Sequence, residues 1–334
     1  MNILIANHHL KRTGGTENYS FALAEEMVRL GHQVEYFTYT KGYVSKKLEE
    51  SGIRFKSRKT YDLILANHKT TIQFLHRKGF TVQTCHGTLP TLEQPSKFAD
   101  AYVSVTQEVH EHLQTKGIDS TLIKNGINCR RFAPRQQLND RLGCVLSLCQ
   151  SDEANAMIHQ VCSRNGIRYL SADKKLDNVW HLEDLINQAD LVVGIGRSLY
   201  DAMACGRTVI SFDKRRYSEA LGDGYLDAAT VVDSIRYNCS GRGSRRKMDE
   251  ATFENELRKY RPADGPALRA YALQELNIEH AAQQYLALAH QTRTVKEKPA
   301  NTIVSPLLYY RARRNQLSSF SPRALLNWLC RGTG

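Results

Sequence analysis

Apolar residues in the first 124 positions fall in short, nearly continuous runs, separated by stretches where they recur every three or four residues. Asn2–Ala6 is one such run, and unbroken apolar character over so few residues predicts a strand buried on both faces. Tyr19, Leu23, Met27 and Leu30 then follow at helical spacing, with Gly31 placed to end the helix. Further strands are predicted at Val34–Tyr39, Asp62–Ala66, Phe80–Thr84, Ala101–Val105 and Thr121–Lys124. The pattern then restarts. Gly143–Cys149, Ile167–Ser171, Asp190–Gly194 and Thr208–Phe212 predict strands, interleaved with helices at Glu153–Asn165 (closed by Gly166) and Ser198–Cys205 (closed by Gly206). Such alternation predicts parallel sheets covered by helices on both faces. The absence of a tandem repeat excludes solenoids and propellers. Asn128–Leu142 reads as the join between two doubly wound units. Ser240–Glu250 reads as a surface loop, and helices are expected from Asp249 to His290.

Composition narrows the class. The 334 residues are 41% hydrophobic and 24% charged, enough for two domains and too apolar for wholesale disorder. No run approaches the roughly 20 apolar residues of a membrane span. The opening MNILIANHHL has no basic stretch, and two histidines end its apolar run, so no secretory leader is expected there. Eight cysteines lie scattered without a C-x-x-C pair, which reads as reduced thiols in a cytosolic protein. The net charge is +12, and Gln291–Gly334 carries eight basic residues against Glu297, a net +7. The body is left with an ordinary +5, and nucleic-acid binding is not expected.

Ligands of doubly wound sheets bind beyond the carboxyl ends of the strands. That rule marks the loops after Ala6, Thr84 and Gly194. In Thr13-Gly14-Gly15-Thr16-Glu17 the paired glycines admit close backbone approach and the helix start attracts anions; a tight turn, with Glu17 as a first-turn acid, is the plainer alternative. His86, in Cys85-His86-Gly87-Thr88, reads as a donor or acid/base group reaching toward a ligand, or as a hydrogen-bonded structural histidine. In Gly194-Ile195-Gly196-Arg197-Ser198-Leu199-Tyr200-Asp201 the glycines allow close approach and Arg197 can fork onto phosphate, while Asp201 also fits a capping box with Ser198.

Four segments together resemble the GT-B-fold glycosyltransferases, most closely retaining family 4: GGTENYSFALAEEMVRLGHQV, the HGT loop, KNGINCRRFAP at Lys124–Pro134, and GIGRSLYDAMACGRTVI at Gly194–Ile210. The resemblance implies two Rossmann-like α/β domains facing a central cleft: an acceptor-side domain at 1–135, a nucleotide-sugar domain at 136–290, and a basic amphipathic tail at 291–334. It implies transfer of a hexose-type sugar from a nucleotide-diphosphate donor to a glycan or lipid-linked acceptor. Gly14, Gly15, Gly194, Gly196, Arg197 and Ser198 are then the donor and diphosphate groups, and Thr16 and Glu17 the acceptor side. His86, Arg197 and Asp201 are the catalytic set, with Asp201 at the second position of the family's E-x7-E motif. Its first position holds Val193, and Gln150–Glu153 lacks the family's cation. With no D-x-D triplet, neither a metal nor any other cofactor is expected. A sugar-nucleotide epimerase, or a glycan- or partner-binding protein that has lost catalysis, remain the alternatives.

The tail adds an expectation about location. Leu307, Leu308, Tyr309, Tyr310, Phe320, Leu325, Leu326, Trp328 and Leu329 are interleaved with Arg311, Arg313, Arg314 and Arg323. This is the pattern of a segment seated on an anionic membrane, here the inner face, with Pro306 and Pro322 breaking it into short helices. The alternative is that it packs back on the first domain.

Overall fold

Burial on both faces is what turns the continuous apolar runs into parallel strands. The computed structural model describes residues 1–172, 179–215, 220–291 and 305–317. Within it β1 (Asn2–His9), β2 (Gln33–Thr40), β3 (Arg54–Phe55), β4 (Leu63–Ala66), β5 (Phe80–Cys85), β6 (Ala101–Ser104) and β7 (Thr121–Leu122) form a parallel sheet, ordered β3-β2-β1-β4-β5-β6-β7. Helices α1 (Gly15–Arg29), α2 (Tyr43–Glu50), α3 (Lys69–Leu75) and α4 (Gln107–Gln114) connect them. The second sheet contains β8 (Cys144–Ser147), β9 (Arg168–Ser171), β10 (Leu191–Gly194), β11 (Thr208–Ser211) and β12 (Gly224–Leu226), ordered β12-β11-β10-β8-β9. Only its edge strand β12, which the apolar pattern does not reveal, runs antiparallel. Helices α5 (Asp152–Arg164), α6 (Leu182–Ile186), α7 (Arg197–Ala204), α8 (Val231–Arg236), α9 (Glu250–Leu257) and α10 (Asp264–Glu275) surround it, and α11 (Ile278–Gln291) and α12 (Pro306–Leu317) follow.

Alternation along the strands divides the second core into two layers. Leu146, Val192, Val209 and Leu226 pack with Leu199 and Met203 of α7 and Leu268 of α10. Val145, Leu191, Val193 and Ile210 point the other way, among Ile158 and Val161 of α5 and Phe253 of α9. Val193 is therefore a core residue. Seven described cysteines are buried and free.

The chain separates into two compact units. The first holds residues 1–105, 109–123 and, of the described C-terminal residues, 282–291 and 305–317; the second holds 106–108 and 124–281. The changeover thus falls at Ile123/Lys124, earlier than the expected 135/136. The reason is that buried and half-buried polar groups fasten the joining segment to the second unit. Arg269 donates to the carbonyls of Cys129 and Phe132, at 3.0 and 2.7 Å. Arg207, 2% exposed, reaches Gln136 O, and Asp190 accepts from Asn139 N, Gly143 N and Cys144 N. Residues 240–250 are likewise no simple surface loop. Asp223 accepts from Ser234 Oγ, Gly241 N and Ser244 Oγ, and Ser240 is buried.

The expectation of a separate tail also changes. α12 lies in the first unit, where Asn315 Nδ2 donates to Thr38 O and Tyr39 O of β2 at 3.0 and 3.1 Å, and Ala312 is buried. Packing back is thus the arrangement of Pro306–Leu317. Pro306 begins this helix, where its missing N–H costs nothing, and does not break one. Phe320, Pro322, Arg323, Leu325, Leu326, Trp328 and Leu329 lie outside the described residues.

Candidate functional site

In the first sheet the strand order reverses between β1 and β4, which places a crevice at their carboxyl ends. Asn7, His8 and His9 finish β1 there, Asn67 and His68 follow β4, and His86 follows β5. β1 runs three residues past the predicted Ala6 because Asn7 and His9 stay paired with Thr38 and Thr40 of β2. His86 Nε2 donates to Asn67 Oδ1 at 3.0 Å; Asn67 Nδ2 donates to Ser20 Oγ at 2.7 Å; Ser20 Oγ donates to Thr16 O at 2.8 Å. A hydrogen-bonded chain therefore runs from the first turn of α1 to His86. The ring of Tyr19 meets His86 edge-on at 5.4 Å and holds its plane.

Glu17 is buried and pairs with the half-exposed His9, Nδ1 to Oε1, at 3.0 Å, which raises the His9 pKa. A Cβ on Gly14 would come 2.2 Å from Glu17 Oε2, so a larger residue would have to displace that carboxylate, whereas Gly15 has no atom within 4 Å of such a position. Open backbone at a helix start suits an anion or a sugar hydroxyl. Burial, with His86, His8 and His9 around it, pulls His68 down to about 3, so it is neutral at physiological pH. Glu93, from the turn Thr91–Glu93, places Oε2 against Gly87, 2.7 Å from where a Cβ would sit. Burial, and the charge of Glu17, push Glu93 up to about 7. Among the described residues no three or more His, Cys, Asp or Glu side chains are grouped so as to hold a metal ion.

In the second sheet the order reverses at β8 and β10. Gly196 is the N-cap of α7 with φ +60°, a left-handed conformation that favours glycine. That cap displaces Ser198 into the helix, so Ser198 and Asp201 form no capping box. Gly194 packs tightly: a Cβ there would meet Ser198 Cβ at 3.3 Å. Arg197 points inward: Nη1 donates to Gly126 O at 2.9 Å, Nε lies 3.8 Å from Asp201 Oδ1, and its side chain is 9% exposed. Asp201 and Ser198 are buried beside it. The structure thus brings Arg197 and Asp201 together, with the guanidinium held by the Gly126 carbonyl.

Cations absent from Gln150–Glu153 arrive from the loop after β11. Asp213, fully buried, accepts from Gln150 N at 3.0 Å and Ser151 N at 3.3 Å, and pairs with Arg215 Nε at 2.6 Å. Lys214 Nζ reaches Glu153 at 2.6 Å. Ser151 Oγ caps α5, accepting from Ala154 N. Lys214 and Arg215 therefore stand at the N-terminus of α5. Like Asn67 and His68, they directly follow an apolar run, the signal that marked the other loops; Glu93 has no such signal and is delivered by a turn.

No protein-family model and no curated protein sequence matches the chain. Solved structures do match. HepE of Anabaena, solved with UDP and glucose, has a TM-score of 0.57 at 14% identity, over 86% of this chain and 99% of its own. An alpha-glucosyltransferase solved with UDP and a 13-mer DNA scores 0.53 at 10% identity, over 87% and 99%. TarM scores 0.53 at 10% identity, over 86% and 98%. The fold is of the GT-B type. At such identities the likeness concerns architecture, and in GT-B terms residues 124–281 hold the second Rossmann-like sheet. No helix among the described residues is long and apolar enough to cross a membrane.

Proposed function

We propose that this chain is a glycosyltransferase that moves a hexose-type sugar from a nucleotide-diphosphate donor to a glycan or lipid-linked acceptor, with retention of configuration and without a metal ion. The observation that supports it most lies at the carboxyl ends of β8 and β11, where the α5 N-terminus meets Lys214 and Arg215. Helix N–H groups and cations together suit a diphosphate. The bond from the anomeric carbon to the diphosphate oxygen breaks with its electron pair leaving on that oxygen, the acceptor hydroxyl oxygen bonds to the same face of the carbon, and its proton passes to the departing diphosphate. Lys214 and Arg215 stabilise that charge, taking the part the sequence pattern gives to Arg197. On the acceptor side Thr16, Glu17 and the chain ending at His86 position the sugars. HepE and the alpha-glucosyltransferase are both solved with UDP, so UDP is the first nucleotide to test. A cytoplasmic location with peripheral membrane attachment belongs to the same reading.

Calorimetric titration of the full chain with UDP, GDP and ADP tests it. One diphosphate is expected to bind, and Lys214→Ala with Arg215→Ala to weaken it about ten-fold or more, the worth of a charge-assisted hydrogen bond. Binding of none of the three overturns the reading. A second reading, binding without catalysis, draws on the enclosed Arg197 and Asp201; it predicts nucleotide binding with no transfer from any nucleotide sugar.

A further inference from the structure

A cavity of about 560 Å³ lies in the first unit, between α12 and the segments 56–59 and 73–78. Lys56, Arg58, Lys59, Arg77, Lys78 and Arg313 line it, with no carboxylate among its lining residues. Surface cations are usually solvated and scattered, but Lys56 is only 7% exposed. Its ammonium has three donors, and the structure directs one to Arg58 O at 3.0 Å. Glu35, the nearby carboxylate, is taken up by Ser57 N, Ser57 Oγ, Arg58 N and Tyr61 OH and lies 3.9 Å from Arg58 Nε, which leaves Lys56, Lys59, Lys78 and Arg313 without a carboxylate in the cavity lining. Burial, with Lys78 and Arg313 near and the charge of Glu35 only partly opposing them, pulls Lys56 down to about 8. Gathering like charges around a buried ammonium is unfavourable unless an anion offsets them.

We propose that this cavity is a binding site for a phosphate group, either on a phospholipid headgroup or on a free phosphate compound. Arg58 and Arg313 supply forked donors and Lys56, Lys59 and Lys78 compact charges, a combination that matches the several oxygens of a phosphate monoester. The site exists only because α12 docks on β2: Arg313 and Tyr309 form one wall, fixed by Asn315. Leu307 and Tyr310 of the same helix are 57% and 64% exposed, which makes the lipid source worth a separate arm.

The test titrates the full chain with sodium pyrophosphate by calorimetry, and sediments it with phosphatidylcholine vesicles with and without phosphatidate. At least one of the two ligands is expected to bind, and Lys78→Gln with Arg313→Gln to weaken that binding ten-fold or more. Pyrophosphate binding assigns a free phosphate compound, and phosphatidate-dependent sedimentation alone assigns a lipid headgroup. If the double variant fails to fold, charge reversal at the exposed Lys59, Lys59→Glu, replaces it with the same expected loss. Absence of binding to both ligands overturns the proposal. So does binding that these substitutions leave unchanged, or that is lost instead in Lys214→Ala with Arg215→Ala.

Discussion

Glu93 and Asp201 are both carboxylates in enclosed settings, and they answer opposite questions. Glu93 has a folded-state pKa of about 7 against an ordinary 4.5, so between those values the folded chain holds more protons than the unfolded one. Its stability contribution is therefore complete below pH 4.5 and is lost as pH rises through 7. Glu93→Gln should match the parent at pH 4.5 and exceed it at pH 8 by up to about 3 kcal/mol, measured by urea denaturation at both pH values. Equal stability at both would show that the carboxylate is not burdened. Asp201, by contrast, is buried against the Arg197 guanidinium. Asp201→Asn leaves that cation without its counter-charge and should cost on the order of 3 kcal/mol at neutral pH. An unchanged denaturation midpoint would return Asp201 to the ligand position that the family resemblance implies. The inward set of Arg197 was not legible in the sequence, since a guanidinium at a helix start reads the same whether it faces phosphate or the Gly126 carbonyl.

At the scale of elements, the helix starts decide what the loops can do. α7 begins at Arg197 because Gly196 takes φ +60°, and a side chain there would also come 2.9 Å from Asn238 Nδ2. Gly196→Ala should therefore destabilise the second unit by about 1–2 kcal/mol, the cost of the left-handed backbone, seen as earlier unfolding in denaturant. No loss would mean that the turn relaxes. The elements themselves were largely legible: runs of apolar residues located most strands to within a residue or two, since strands buried on both faces leave no other reading. The edge strands β3 and β12 and the docking of α12 were not. A three-residue edge strand carries no period, and an amphipathic helix has the same face whether it meets lipid or β2.

For the whole molecule, two units with separate cores imply that a ligand of one stabilises that one. UDP at one hundred times its dissociation constant should add about 2.7 kcal/mol. In hydrogen exchange, peptides covering Gln150–Ala154, Gly194–Asp201 and Asp213–Arg215 should slow, while those of β1–β7 should not. Protection spread evenly over both units, or confined to the first, would contradict a donor site in residues 124–281.

The sequence by itself determined most strands of the two sheets, the helices α1, α5 and α7 and the loops at the strands' carboxyl ends, because burial on both faces and the direction of parallel strands leave little freedom. It also placed Gly14, Gly15, Thr16, Glu17 and His86 in the loops after two strands of the first sheet, which the structure joins by the hydrogen-bonded chain from Thr16 to His86. Only the tertiary structure decided which way charges point. It turned Arg197 onto Gly126 and Asp201, brought Lys214 and Arg215 to the α5 helix start, and set Arg313 of the C-terminal helix beside Lys56 and Lys78. Long polar side chains reach partners dozens to hundreds of residues away, and one-dimensional periodicity records only which face is apolar.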